Sequence, residues 1–79
     1  MKIEVLGTGC VRCETLGARA KAAAERLGID YELVYVKEIN ELVKRGVIVT
    51  PALVIGGNVV VAGRLPGDAE IERWIASAV

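Results

Sequence analysis

Residues 7–13 read GTGCVRC and hold both cysteines of this 79-residue chain. Residues 2–6 before them alternate between polar and apolar side chains, which predicts a β-strand. Residues 11–27 after them carry apolar side chains at helical spacing, which predicts an amphipathic helix with an inner stripe of Leu16, Ala20, Ala23, Ala24 and Leu27. Cys10 and Cys13 are therefore expected at the junction of a strand and a helix, where the neighbouring glycines allow a sharp turn.

The spacing of the two cysteines suits a reversible disulfide at a helix start. Side chains three apart in a regular helix have Cβ atoms about 5–6 Å apart, whereas a disulfide needs about 3.5–4.5 Å. The gap can close if Cys10 occupies the N-cap with non-helical backbone angles, and Gly9 helps the chain make that turn. There the helix dipole and Arg12 both favour a thiolate. Cys10 is then the expected attacking sulfur, and Cys13, one turn further in, the resolving sulfur.

The rest of the chain predicts one domain over residues 1–79 with the element order β-α-β-α-β-β-α. Glycines and prolines separate segments that predict strands over 31–36, 52–55 and 59–62 and helices over 38–45 and 68–78. The first two strands are expected to be parallel, and the last two to form an antiparallel hairpin. The fold class is thus α/β, with helices covering the sheet. The inward-facing residues expected on the last two helices are Ile39, Leu42, Val43, Ile71, Trp74, Ile75 and Ala78.

The composition narrows the classes of function. Ten basic and ten acidic residues give a net charge of zero, which offers no attraction for nucleic acid or an anionic membrane. Histidine, the commonest general base, is absent. No apolar run approaches the roughly 18 residues of a membrane-spanning helix. Glu4 interrupts the apolar residues at the start of the chain, so they do not form the hydrophobic region of a signal peptide. Two cysteines are too few to staple a secreted mini-protein and are compatible with a reducing cytosol, so we expect a cytoplasmic protein.

Thr50-Pro51 comes just before the third predicted strand. Proline cannot donate to a sheet ladder, so it fits the first residue of a strand. About one X–Pro bond in twenty is cis. The residues alone leave open both an ordinary strand-start proline and a cis-proline.

Together these residues resemble the thioredoxin superfamily, and within it the very small thioredoxin-like proteins of archaea and bacteria called redox-active disulfide proteins. The resemblance covers essentially the whole chain. It rests on residues 7–13, on residues 28–30 (GID) after the first helix, on Thr50-Pro51 before the hairpin and on Gly63 after it. It implies a thioredoxin-like fold with a central four-stranded mixed sheet flanked by three helices.

The resemblance also implies an activity and its residues. The protein would be a thiol–disulfide oxidoreductase that reduces protein disulfides, with Cys10 as nucleophile and Cys13 as resolving thiol. Pro51 would be a cis-proline packed against the disulfide, Thr50 would offer its backbone to a substrate peptide, and Gly63 would let the following loop pass close by.

The same resemblance implies which partners the protein has. These are disulfide-containing protein substrates and a reductase of unidentified kind. We also expect the chain to be a monomer and to need no bound cofactor. The Gly-Gly-x-Asp that glutaredoxins carry at their last helix is absent, which argues against glutathione as reductant. Glu4 is a candidate proton acceptor for the pair, although a charged strand residue more often faces solvent.

Three alternatives remain open for the cysteine pair. Both could be buried structural thiols. They could bind Cu(I), because residues 8–13 echo the Thr-x-Cys-x-x-Cys start of heavy-metal-associated domains and two thiolates suit a soft ion. Those domains, however, usually run β-α-β-β-α-β. The chain could also be a non-catalytic partner-binding domain on the same fold.

Overall fold

Four strands form one mixed sheet in the computed structural model, which describes residues 1–7, 11–46 and 49–78. They are β1 (Lys2–Leu6), β2 (Glu32–Val36), β3 (Ala52–Ile55) and β4 (Asn58–Ala62), in the spatial order β2-β1-β3-β4. β1 and β2 are parallel, and the β1–β3 and β3–β4 pairs are antiparallel. The predicted parallel first pair and the closing hairpin are therefore confirmed.

Three helices cover this sheet, as predicted. They are α1 (Val11–Arg26), α2 (Ile39–Lys44) and α3 (Asp68–Ser77). α1 ends just before Gly28, whose φ of 66° is a left-handed conformation that glycine adopts readily. The α/β fold class, with a four-stranded mixed sheet and three helices, is confirmed.

Buried side chains lie on both faces of the sheet. On one face, residues of β1 and β3 pack with the inner stripes of α1 and α3; this larger cluster comprises Ile3, Val5, Cys13, Leu16, Ala20, Ala23, Ala24, Leu53, Ile55, Val61, Ile71 and Ile75. On the other face, α2 contributes Leu42 to a smaller cluster with Leu6, Ala52 and Val54. The two central strands are apolar on both sides because both sides are covered.

Three of the inward-facing residues expected on the helices are exposed. Leu27, expected on the inner stripe of α1, follows the last residue of that helix and is 40% exposed. Val43 is 64% exposed, because the six-residue helix α2 directs Leu42 to the sheet instead. Ala78 follows the last residue of α3 and is also exposed. Trp74 is half-buried and packs against the larger cluster, whereas the side chain of Ile39 lies outside the described part of the structure. Among the described helices, none has the length and apolar character needed to cross a membrane.

Candidate active site

Cys13 lies in the first turn of α1 and is only 2% exposed. It belongs to the larger cluster, between the sheet and the two long helices. Arg12, beside it in the same turn, is exposed, and so is Val11, with an exposed fraction of 77%. Cys10 and Gly9, the other predicted site residues of this segment, lie outside the described residues.

Gly7 brings the end of β1 against the Cys13 sulfur. A Cβ atom built on Gly7 would overlap Sγ of Cys13 and would lie 3.7 Å from Cβ of Thr50. The Gly7 N–H donates a hydrogen bond of 2.9 Å to the carbonyl of Val36, which fixes the backbone of Gly7 to the end of β2. The predicted site residues Cys13 and Thr50 therefore meet at Gly7, where any side chain would push the sulfur away.

Pro51 links Thr50 to the loop after the hairpin. The Thr50–Pro51 peptide bond is cis, and Pro51 is fully buried. The carbonyl of Pro51 accepts a 2.9 Å hydrogen bond from the N–H of Gly63. Gly63 has a φ of 85°, and a Cβ atom there would lie 2.5 Å from Cγ1 of Val49. The structure thus holds Gly63 against the residues that precede β3, with no room for a side chain.

A second set of polar residues lies beside Cys13. An open cavity of about 260 Å³ is lined by Gly7, Cys13, Glu14, Tyr35 and Lys37. Gly7 and Cys13 belong to the predicted motif at residues 7–13, whereas Glu14, Tyr35 and Lys37 were not among the predicted site residues.

In the sequence, Gly17 is the residue that could have indicated close packing against α1 at this point. A glycine inside a helix is destabilising by about 0.5–1 kcal/mol relative to alanine, so its presence indicates a close approach by another group. A Cβ atom on Gly17 would overlap the hydroxyl of Tyr35. The tyrosine therefore packs into the notch that this glycine leaves in α1.

Glu4 is buried on the opposite face of the sheet. Its exposed fraction is 4%, so the expectation that it faces solvent is wrong. Side chains alternate along a strand, so Glu4 shares the α2 face with Leu6, whereas Ile3 and Val5 face the cluster that contains Cys13. Arg45, which follows α2, donates a short hydrogen bond to the Glu4 carboxylate, and Nζ of Lys2 lies 3.7 Å from it. The bond from Arg45 raises the pKa of its guanidinium, and the pair ties β1 to α2.

Arg64, next to Gly63, links the loop after the hairpin to α3. Its guanidinium donates a 2.7 Å hydrogen bond to the carboxylate of Glu70, which lowers the pKa of Glu70. Across residues 1–7, 11–46 and 49–78, no group of three or more histidine, cysteine, aspartate or glutamate side chains is arranged to hold a metal ion.

Comparison with known proteins places this architecture in a family. Residues 1–76 match the family model described as a thioredoxin domain. A protein named thioredoxin from Methanothermobacter thermautotrophicus is 36% identical over 76 residues, which cover 96% of this chain and 99% of that protein. A protein named thioredoxin from Methanocaldococcus jannaschii is 37% identical over 75 residues, which cover 95% of this chain and 86% of that one. With nearly its whole length matched by the family model and by both relatives, this chain belongs to the thioredoxin family.

Proposed function

We propose that the protein is a thiol–disulfide oxidoreductase that reduces protein disulfides through a Cys10/Cys13 dithiol. Membership of the thioredoxin family supports the redox class. The observation that carries the finer assignment is the position of Cys13, which is 2% exposed in the first turn of α1 and lies against Gly7. A sulfur that is this shielded cannot meet a protein substrate directly, but it can meet a cysteine three residues earlier in the chain.

The two sulfurs have different roles in this proposal. The thiolate of Cys10 attacks one sulfur of the substrate disulfide, forms a mixed disulfide and releases the other substrate sulfur as a thiolate. The thiolate of Cys13 then attacks Sγ of Cys10, so that the Cys10–Cys13 bond forms and the second substrate sulfur leaves with its electron pair. The substrate gains two electrons, and the dithiol becomes a disulfide.

Thr50, Pro51 and Gly63 form the proposed substrate-binding side of the site. The hydrogen bond from Gly63 to Pro51 holds the loop after the hairpin beside the start of β3. Val49, next to Thr50, is 52% exposed and offers apolar surface there. An extended substrate peptide would pair with the backbone of Thr50, as in strand addition to a sheet edge.

The proposal extends to partners and location. Its substrates are disulfide-containing proteins, and an unidentified reductase restores the dithiol. The two sulfurs carry the electrons themselves, without a bound cofactor. We propose that the protein acts as a monomer in the cytoplasm.

Trapping of the mixed disulfide tests this proposal. Cys13→Ser removes the resolving thiol, so the variant is expected to accumulate a covalent adduct with a disulfide-containing protein such as insulin. Intact-mass spectrometry and non-reducing electrophoresis detect the adduct, and peptide mapping locates it on Cys10. Cys10→Ser is the matched control and is expected to form no adduct, because Cys13 is buried.

Two outcomes would overturn the proposal. One is a wild-type protein that reduces no protein disulfide, and the other is an adduct on Cys13 in place of Cys10. Cu(I) binding, measured in parallel by competition with a chelator, distinguishes the oxidoreductase from the metal-binding alternative. Tight Cu(I) binding without disulfide reduction would favour a soft-metal module using the same pair.

A further inference from the structure

Tyr35 packs against α1 about one helical turn from the buried cysteine. Its hydroxyl occupies the notch at Gly17. Cys13 and Gly17 are four residues apart in α1, so they share one side of the helix, with a Cβ separation of about 5–6 Å at such positions. The phenol group is therefore held about one helical turn from Cys13, at the edge of the cavity that both residues line.

The charged groups around this cavity come from two elements. α1 contributes Glu14, β2 contributes Tyr35, and Lys37 directly follows β2. The residue after β1, Gly7, also lines the cavity and does not titrate. Arg12 is exposed in the first turn of α1.

On the α2 side of the sheet, Arg45 pairs with both Glu4 and Glu41, and Lys2 lies 3.7 Å from Glu4. Among the described charged residues, Glu14 and Lys37 are the ones that line the cavity with Cys13, while Glu38 and Glu41 line a second pocket that also includes Tyr35 and Lys37.

The resolving step requires a charge on a buried atom. In the reduced protein Cys13 must lose its proton before it can attack, and burial of a thiolate in an apolar cluster is unfavourable unless a donor or cation compensates it. The cavity supplies room for several water molecules, since a water's share of liquid volume is about 30 Å³. Tyr35 and Lys37 give this space a hydrogen-bond donor and a positive charge.

We propose that this cavity is the proton-exchange route of Cys13, and that Lys37 and Tyr35 are positioning residues that stabilise its thiolate during the resolving step. The inference rests on the proposed oxidoreductase function. The Cys13 proton passes to solvent in the cavity, and the Cys13 sulfur attacks Sγ of Cys10. The Cys10–Cys13 bond forms, the bond from Cys10 to the substrate sulfur breaks, and the departing thiolate takes a proton from bulk solvent.

A disulfide reagent with a coloured leaving group separates the two steps. One equivalent of 5,5′-dithiobis(2-nitrobenzoate) added to the reduced protein releases a first thionitrobenzoate when Cys10 attacks and a second when Cys13 resolves the adduct. Stopped-flow absorbance follows both releases as a function of pH.

Lys37→Met and Tyr35→Phe are expected to slow the second release about threefold each, because a partly exposed charge or donor near a thiolate has a modest effect. The first release is expected to stay unchanged. In Lys37→Met the pH at which the second release reaches half its maximal rate is expected to move upward, which a purely structural role would not produce. Lys37→Arg is expected to restore the wild-type profile, and Glu14→Gln to accelerate the second release.

Matched controls come from residues remote from the cavity. Lys44→Met removes a lysine of α2, and Tyr31→Phe removes a hydroxyl that bonds Glu25 at 3.3 Å; neither is expected to alter either release. A second release that keeps the wild-type rate and pH profile in Lys37→Met and Tyr35→Phe would overturn the inference. Loss of the first release from the wild type would instead overturn the proposed function, so the two failures are distinguishable.

Discussion

Gly7 is the residue on which the close approach of Cys13 to β1 depends. We predict that Gly7→Ala destabilises the fold by about 1–3 kcal/mol, the range typical of an atom added to a well-packed site. The reason is that the new Cβ would overlap Sγ of Cys13 and must displace it. Urea unfolding of the reduced protein measures the loss, and the rate of the second thionitrobenzoate release reports the displaced sulfur.

Gly67→Ala is the matched control for this substitution. Gly67 has a φ of −76° and no atom within 4 Å of an added Cβ, so alanine meets neither strain nor a clash there. Its expected loss is below about 1 kcal/mol, since alanine is a poorer N-cap than glycine. Equal losses at Gly7 and Gly67 would contradict the close approach of Gly7 to Cys13.

The individual site residues differ in how far the sequence predicted them. Cys13 and Thr50 carry recognisable motifs, and the structure brings them together. The contacts at Gly7 and between Gly17 and Tyr35 join residues distant in the chain, and local periodicity does not encode such contacts. A glycine within a helix signals a close neighbour, but it does not identify which side chain fills the space.

A buried carboxylate, Glu4, pairs β1 with Arg45 at the end of α2. We predict that Arg45→Met lowers the free energy of unfolding by about 1–3 kcal/mol, because it takes a charged hydrogen bond from a buried carboxylate. Among the described residues, Lys2 would remain as the ion-pair partner of Glu4, at 3.7 Å. Urea unfolding measures the effect, and a double-mutant cycle with Glu4→Gln isolates the coupling of the pair.

Arg64→Met is the control at an exposed pair. Arg64 bonds Glu70 at the surface between the last loop and α3, where solvent screens the charges, so we expect little change in stability. Equal effects of Arg45→Met and Arg64→Met, or a cycle without coupling, would contradict the role given to the pair of Glu4 and Arg45.

For α2, the sequence predicted that a helix forms but not which of its residues face the sheet. The apolar pattern of residues 38–45 predicts a helix, and the structure has one over Ile39–Lys44. A helix of fewer than two turns has too few residues to define a stripe, so the pattern could not distinguish Leu42, which is buried, from Val43, which is exposed. The longer helix α1 has a stripe over several turns, and of the residues expected on it Leu16, Ala20, Ala23 and Ala24 are buried, whereas Leu27, which follows the helix, is 40% exposed.

At the scale of the whole molecule, the order of elements determined the topology. A strand, a helix and a second strand imply a parallel pair, and two strands separated by Gly56-Gly57 imply a hairpin; both are observed. The order does not reveal that Glu4 is buried, because a carboxylate on a central strand is tolerated only once its partner is in place. That partner, Arg45, is brought to it by the chain between β2 and β3.

The two-sided sheet also separates the chemistry from the structural ion pair. Cys13, Tyr35 and Lys37 lie together at the cavity, while Glu4 and Arg45 lie on the α2 face. Changes at Arg45 are therefore expected to act on stability and changes at Lys37 on the resolving step, which makes the two sets of variants independent tests.

The relative reactivity of the two thiols tests the central claim most directly. The fully reduced protein is treated with iodoacetamide near neutral pH, and peptide mass mapping follows each cysteine over time. Cys10 is expected to alkylate at least about tenfold faster than Cys13, because the helix N-terminus and Arg12 favour its thiolate while Cys13 is buried. Equal rates, or faster modification of Cys13, would contradict the assignment of Cys10 as the attacking sulfur and Cys13 as the resolving one.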